Sequence, residues 1–462
     1  MAQRKLYLEE EPPEWLKAMD NPYDKGMRDE AQKETGEGYL FDVAYYDGHY
    51  YVYFGVVPVL LFYLPFYLLT GSPFPTALGV LIACLLFICG ASALLDRFAR
   101  HHFDRVTLGI YLVVQVAFIS SCGMLYLLKF PTFYSLPIAC GLMFSVWGLY
   151  FWMCGRGSSK RHLFFALGSL CMALVAGCRP QLLLLSLLAF PLFWRPYISK
   201  RRIFTREGFT EFLCLIGPYL VVAAGIMLYN HARFGSLTDF GANYNLTVND
   251  MTQRGWVLGR IAPALFTYFL QPPDMVGAFP YLQPADFATT YLGQTIKEVT
   301  FGGIFWCYPV LWVLFFLRPL VSLRDSQRAT RTITGTIFVL LLSGVAIAVV
   351  DAEMAGILQR YYADFSFMFL AAVVLLVFIA NENIDDLPLA RKGSGYSRSV
   401  LKRRETLRPP TLRSLLTKTL LILVALGVGY SVLLCLTPET GWYSDIYPWA
   451  YHDLVEAIQF WT

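Results

Sequence analysis

The chain has 462 residues, of which 56% are hydrophobic and only 15% are charged, with a formal net charge of +4. A soluble domain carries about 25% charged residues, so this composition excludes an ordinary water-facing globule. The basic residues fall in short bursts between apolar runs, which excludes a nucleic-acid-binding face and is the pattern of an all-α polytopic membrane bundle.

Residues 1–50 hold 12 Asp/Glu and 6 Lys/Arg, with no apolar run and no secretory leader. They read as an acidic first loop, 1–52, and because the topology below places it outside, a first anchor helix is expected upstream of Met1. Next comes 53–70, YFGVVPVLLFYLPFYLLT, with Pro58 and Pro65. Counting it as a crossing would turn every basic loop outward. It therefore reads as a juxtamembrane helix lying along or dipping into the outer leaflet, the alternative being a crossing with a partner helix upstream.

The bundle spans 71–436. A crossing helix needs about 20 mostly apolar residues, since only an internally bonded backbone survives in hydrocarbon. Seven long runs qualify: Pro75–Leu94, Val106–Leu128, Thr132–Met153, Glu211–Tyr229, Thr332–Val350, Phe365–Ala380 and Leu415–Leu436. Three shorter ones, Leu163–Cys178, Gln181–Trp194 and Gly303–Phe316, bring the expected count to about ten. The linkers 95–105, 154–162, 195–210, 318–331 and 381–414 hold 23 of the 37 Lys/Arg. Placing these linkers in the cytoplasm satisfies the positive-inside rule throughout. Both chain ends, the long loop 230–302 and the aromatic tail 437–462 then lie outside.

The spans are nearly free of ionisable residues, Glu211 and Lys418 excepted, and none sits at a midplane as an ion-coupled transporter would require. Polar residues gather instead in three clusters at the outer ends of helices. The first runs from Asn21-Pro-Tyr-Asp24 through Arg28 to Phe41-Asp-Val-Ala-Tyr-Tyr-Asp-Gly-His-Tyr-Tyr-Val-Tyr-Phe-Gly55. Asp42, Asp47 and Asp24 are candidate bases among rings suited to stacking on sugars. The plainer alternative is an interfacial aromatic belt with a turn at Asp47-Gly48. The second cluster is Tyr229-Asn-His-Ala-Arg-Phe-Gly-Ser-Leu-Thr-Asp-Phe-Gly241, which contains Arg233, and the third is Gln359-Arg-Tyr-Tyr-Ala-Asp364. Arg360 and Arg179 either fork onto a phosphate or anchor the interface, with Asp364 a possible partner for Arg360 at helical spacing. Asn245-Leu-Thr247 matches an N-glycosylation acceptor. The ten cysteines read as small buried hydrophobes, without metal-ligand spacing, and no cofactor is expected.

Taken in order, NPYD, DGHYYVYFGVVPVLLFYLPFYLLTG, GCRPQLLLL, YNHARFGSLTDFG and QRYYADF resemble bacterial membrane proteins grouped with the glycosyltransferase C superfamily. These are relatives of protein O-mannosyltransferases and aminoarabinose transferases. The resemblance covers roughly 1–380, as short islands in generic apolar sequence. It implies a polyprenyl-phosphate-linked sugar as donor and a glycan, lipid or protein acceptor. It also implies an acidic base in the first outer loop and a juxtamembrane element at 53–70. Arg360, Arg179 or His49 would touch the lipid phosphate, with Tyr50, Arg233, Tyr361 and Asp364 nearby as binding residues. The family's acidic motif follows its first helix closely, and that region has no counterpart here, so Asp42, Asp47 and Asp24 stand as alternatives for the base. The expected function is inverting sugar transfer on the outer face of a bacterial plasma membrane. A transporter or lipid-linked-sugar flippase and a noncatalytic scaffold are the rivals.

Overall fold

The computed structural model describes residues 5–53, 55–193, 201–285, 287–291, 294–322, 327–384, 412–438 and 443–458. Parts of the basic linkers 195–210 and 318–331, most of 381–414 and part of the tail 437–462 lie outside the described residues. Helix accounts for 72% and strand for 5%, so strand is confined to small hairpins on a helical framework. Among the described residues six helices are long and apolar enough to cross a membrane. They are α1 (Thr76–His102), α2 (Ser135–Gly155), α3 (Arg206–Phe234), α4 (Arg331–Met354), α5 (Gln359–Asn383) and α6 (Leu412–Leu436). They are consistent with an integral membrane protein.

Helix α5 is buried almost end to end and forms the centre of the bundle, whereas the apolar stretch of α3 is exposed along its length. An exposed helix of that composition is stable where the surroundings are themselves apolar. Close crossings need small residues. Gly148 of α2 faces Gly168 of Arg161–Leu174 so closely that a Cβ on either would meet the other's carbonyl oxygen at 3.0 or 2.8 Å.

The remaining expected spans are interrupted. Val106–Leu128 divides into Leu108–Ser120 and Met124–Lys129 around Gly123, whose φ of 79° favours glycine and lets the chain pass against the backbone of Ala363. In the 163–178, 181–194 and 303–316 runs the helix tightens into 3-10 turns at Val175–Gly177, Pro180–Leu188 and Pro309–Phe316. Two of those turns begin on a proline that cannot continue a preceding helix. Val56–Thr70 is a continuous helical segment with Leu60, Leu61, Leu68 and Leu69 exposed. At 1.5 Å per residue it extends for roughly 22 Å, short of the ~30 Å hydrocarbon layer.

One end of the bundle carries a cap made from two distant stretches. The backbone N–H of Asp42 donates to Leu246 O at 2.9 Å, and that of Leu246 donates to Val43 O at 2.9 Å. Arg28, fully buried, donates to Pro22 O at 2.8 Å and to Thr247 O. Leu16, Tyr45, Tyr50 and Leu246 form the small core beneath. Thus 5–52 and the start of 230–302 fold as one layer.

Candidate functional site

The hairpin of the cap follows from two residues. Asp47 and Gly48 have φ of 47° and 71°, the paired left-handed conformation of a two-residue turn joining β1 (Ala44–Tyr46) to β2 (His49–Tyr51). Asp47 is therefore an exposed turn tip. His49 reaches back to Asp47 O through Nδ1 at 2.8 Å and packs on Tyr7 with ring centres 4.1 Å apart. Tyr50 is buried, and burial pushes its hydroxyl up to about 12. Asp24 caps the helix Lys25–Thr35, accepting from Met27 N–H at 2.9 Å. None of these four sequence candidates lines the cavity that Asp42 enters, and each has a structural task.

Asp42 is placed differently. Its φ of 58° is a left-handed conformation that costs a non-glycine residue about 1 kcal/mol or more, and the backbone pairing with Leu246 holds it there. The side chain enters a cavity of about 1190 Å³. Oδ1 accepts from Asn245 Nδ2 at 2.6 Å and from the Tyr53 hydroxyl at 3.3 Å, and Oδ2 accepts from the Tyr134 hydroxyl. These donors are all neutral. Among the described residues no cation lies within ion-pair distance of Asp42.

Tyr134 connects this carboxylate to Arg360, whose guanidinium carbon lies 4.5 Å from the Tyr134 ring centre and 5.2 Å from that of Tyr361. Arg360 Nη2 donates to the Tyr361 hydroxyl at 3.4 Å, while Nε is buried with no hydrogen-bond partner. Among the described residues Arg360 has no carboxylate partner. Asp364, four positions on, is committed elsewhere: Arg179 donates to its Oδ2 through Nε at 2.9 Å and Nη2 at 2.6 Å. Arg179 Nη2 also approaches Asp351 Oδ1 at 3.3 Å, which Gln181 Nε2 contacts at 2.7 Å. Arg179 lines the cavity but is neutralised, and Asp364 is fully buried behind it.

Arg233 lines the cavity too, with Nη1 on Val52 O at 2.8 Å, Nη2 on Asn230 Oδ1 at 3.0 Å and its guanidinium 3.9 Å from the Tyr229 ring centre. It acts as a clamp joining the end of α3 to the segment leaving the hairpin. On another side the cavity wall is apolar: Leu183, Leu184 and Leu187 face it with Ile226 of the exposed helix α3.

The structure thus brings Asp42, Arg179, Arg233, Arg360 and Tyr361 to one cavity and leaves Asp24, Asp47, His49, Tyr50 and Asp364 off its surface. Tyr134, Asn245, Asp351 and Glu353 belong to the site or its support and were absent from the sequence candidates. The pair Asp351 and Glu353, at the end of an apolar run, was the signal for two of them. Asn245 had been read as a glycosylation acceptor; it is 4% exposed and its amide is held by Asp42, so no glycan fits there. No protein-family model, curated protein or solved structure matches the chain.

Proposed function

We propose that the chain is an integral membrane glycosyltransferase that moves a sugar from a polyprenyl-phosphate donor to an envelope acceptor at the outer face of the membrane. The observation that carries this reading is one cavity holding both a carboxylate, Asp42, and a forked cation, Arg360, each without an ion-pair partner among the described residues and linked by Tyr134. Transfer to a hydroxyl needs these two functions. Asp42 takes the proton as the acceptor oxygen attacks the anomeric carbon from the face opposite the phosphate. The bond from that carbon to the phosphate oxygen breaks, and Arg360 meets the charge left on the phosphate. The wall of Leu183, Leu184, Leu187 and Ile226 suits the first isoprene units entering beside α3.

In the proposed arrangement the interrupted helices complete about ten crossings, the cap lies outside and the basic linkers lie in the cytoplasm. Cysteine labelling with an impermeant reagent, in a cysteine-free background, checks this in intact cells. Gly255→Cys is expected to label and Gly395→Cys to stay protected; the reverse pattern rejects the orientation.

Donor binding checks the phosphate role. Arg360→Ala is expected to weaken binding of the lipid donor in detergent by roughly tenfold or more, the value of a charged hydrogen bond. Arg360→Lys keeps the charge but loses the planar fork and is expected to fall between. Unchanged donor binding in a well-folded Arg360→Ala protein rejects the assignment.

A further inference from the structure

The cavity has a second chemical face. Glu353, at the end of α4, is 1% exposed yet lines the cavity. Its Oε2 accepts the Val257 N–H at 2.7 Å, while Oε1 is buried with no hydrogen-bond partner. Among the described residues no basic side chain forms an ion pair with it. Asn249 and Asn245, 7% and 4% exposed, line the same cavity, and the side-chain oxygen of each is likewise buried without a partner. Buried acceptors are almost always satisfied in a protein, because leaving one bare forfeits its hydration. Three unsatisfied oxygens on residues that line one cavity, one of them a carboxylate oxygen, suit a ligand rich in hydrogen-bond donors. Phe240, 44% exposed, also lines the cavity and presents an apolar ring on which a sugar face could stack.

We propose that Glu353, Asn249 and Asn245 form the subsite that takes the hydroxyl groups of the donor's sugar, with Glu353 as its specificity-determining residue. The assignment rests on the transfer reading above. It separates the labour of the cavity: the phosphate is held by the face carrying Arg360, and the ring attached to it by the face carrying Glu353. Arg360 and Glu353 sit seven positions apart on the stretch 350–361, much of which lines the cavity, so a headgroup of one phosphate and one sugar falls to a single continuous wall. Glu353 also tethers the segment around Val257, so occupancy of the subsite is coupled to the placement of that loop.

The test compares two probes on the full chain in detergent: polyprenyl phosphate alone, and the same lipid carrying one hexose, drawn from a small panel of hexoses. The native chain is expected to bind at least one sugar-bearing lipid more tightly than the bare lipid. Glu353→Gln keeps an acceptor for Val257 N–H but turns an amide donor toward the cavity. It is expected to weaken binding of the sugar-bearing lipid by about tenfold while leaving the bare lipid unchanged. Asn249→Ala, which leaves that tether intact, is expected to shift binding the same way by a smaller factor. An equal loss for both lipids, or no loss for either, overturns the subsite while leaving the transfer reading in place. Failure of the native chain to bind either lipid overturns the transfer reading and the subsite with it.

Discussion

Asp42→Asn is expected to lower sugar-transfer turnover by roughly 10²–10⁴-fold while the folded protein survives. Asparagine retains an oxygen for the Asn245 amide and the Tyr53 hydroxyl. It also tolerates the left-handed φ of 58° better than almost any other non-glycine residue. What is lost is the basic oxygen and the charge. Two controls sharpen the result. Asp47→Asn leaves an Asn-Gly turn, which the hairpin accepts equally well, and Asp24→Asn leaves a good helix cap. Both are expected to keep turnover within about twofold of native, since neither residue reaches the cavity. Steady-state turnover measured alongside thermal stability distinguishes these cases. Native turnover in a folded Asp42→Asn protein removes Asp42 as the base.

The largest stability effect is expected at Arg179. Replacing it with methionine keeps much of the side-chain volume but leaves Asp351 and Asp364, 1% and 0% exposed, without their shared counter-charge. Breaking a buried ion pair from one side costs about 3–5 kcal/mol, because the orphaned charge stays desolvated. Unfolding in mixed micelles is therefore expected to shift by that amount for Arg179→Met. Much of the loss should return in the triple variant that adds Asp351→Asn and Asp364→Asn, which removes the stranded charges. A triple variant no more stable than the single one would show that Arg179 stabilises the bundle by packing alone. Arg179 is thus expected to act chiefly on folding, and Arg360 chiefly on donor binding. The two arginines had looked alike in the sequence.

How far the sequence reached is clearest at particular residues. Apolar length marked all six long helices, because a helix that must satisfy its backbone internally needs that length. Asp47-Gly48 was readable as a turn because few other dipeptides accept two left-handed residues. The helix Val56–Thr70 was readable from its apolar composition, to within a few residues. The break at Gly123 was not legible: glycine is common in membrane helices, and the demand for it comes from Ala363, far away in the chain. Nor was the pairing of Arg179 with Asp364 across 185 residues. Helical spacing offered Asp364 to Arg360, and only the packing of α5 against the turn at 179–180 assigns it elsewhere. Choosing among three first-loop carboxylates likewise required the cap, since sequence alone does not tell a turn tip or a helix cap from an acid held over a cavity.

Release of free polyprenyl phosphate from a labelled lipid-linked sugar, in membranes carrying the chain and a crude envelope acceptor fraction, tests the central claim most directly. The account predicts chain-dependent release for at least one sugar, with the label recovered in the acceptor. It also predicts loss of that release in Asp42→Asn while the lipid still binds. Binding without any release across the panel, with intact lipid-linked sugar moved to the opposite leaflet at a rate unaffected by Asp42→Asn, would contradict it and identify the cavity as a transport site.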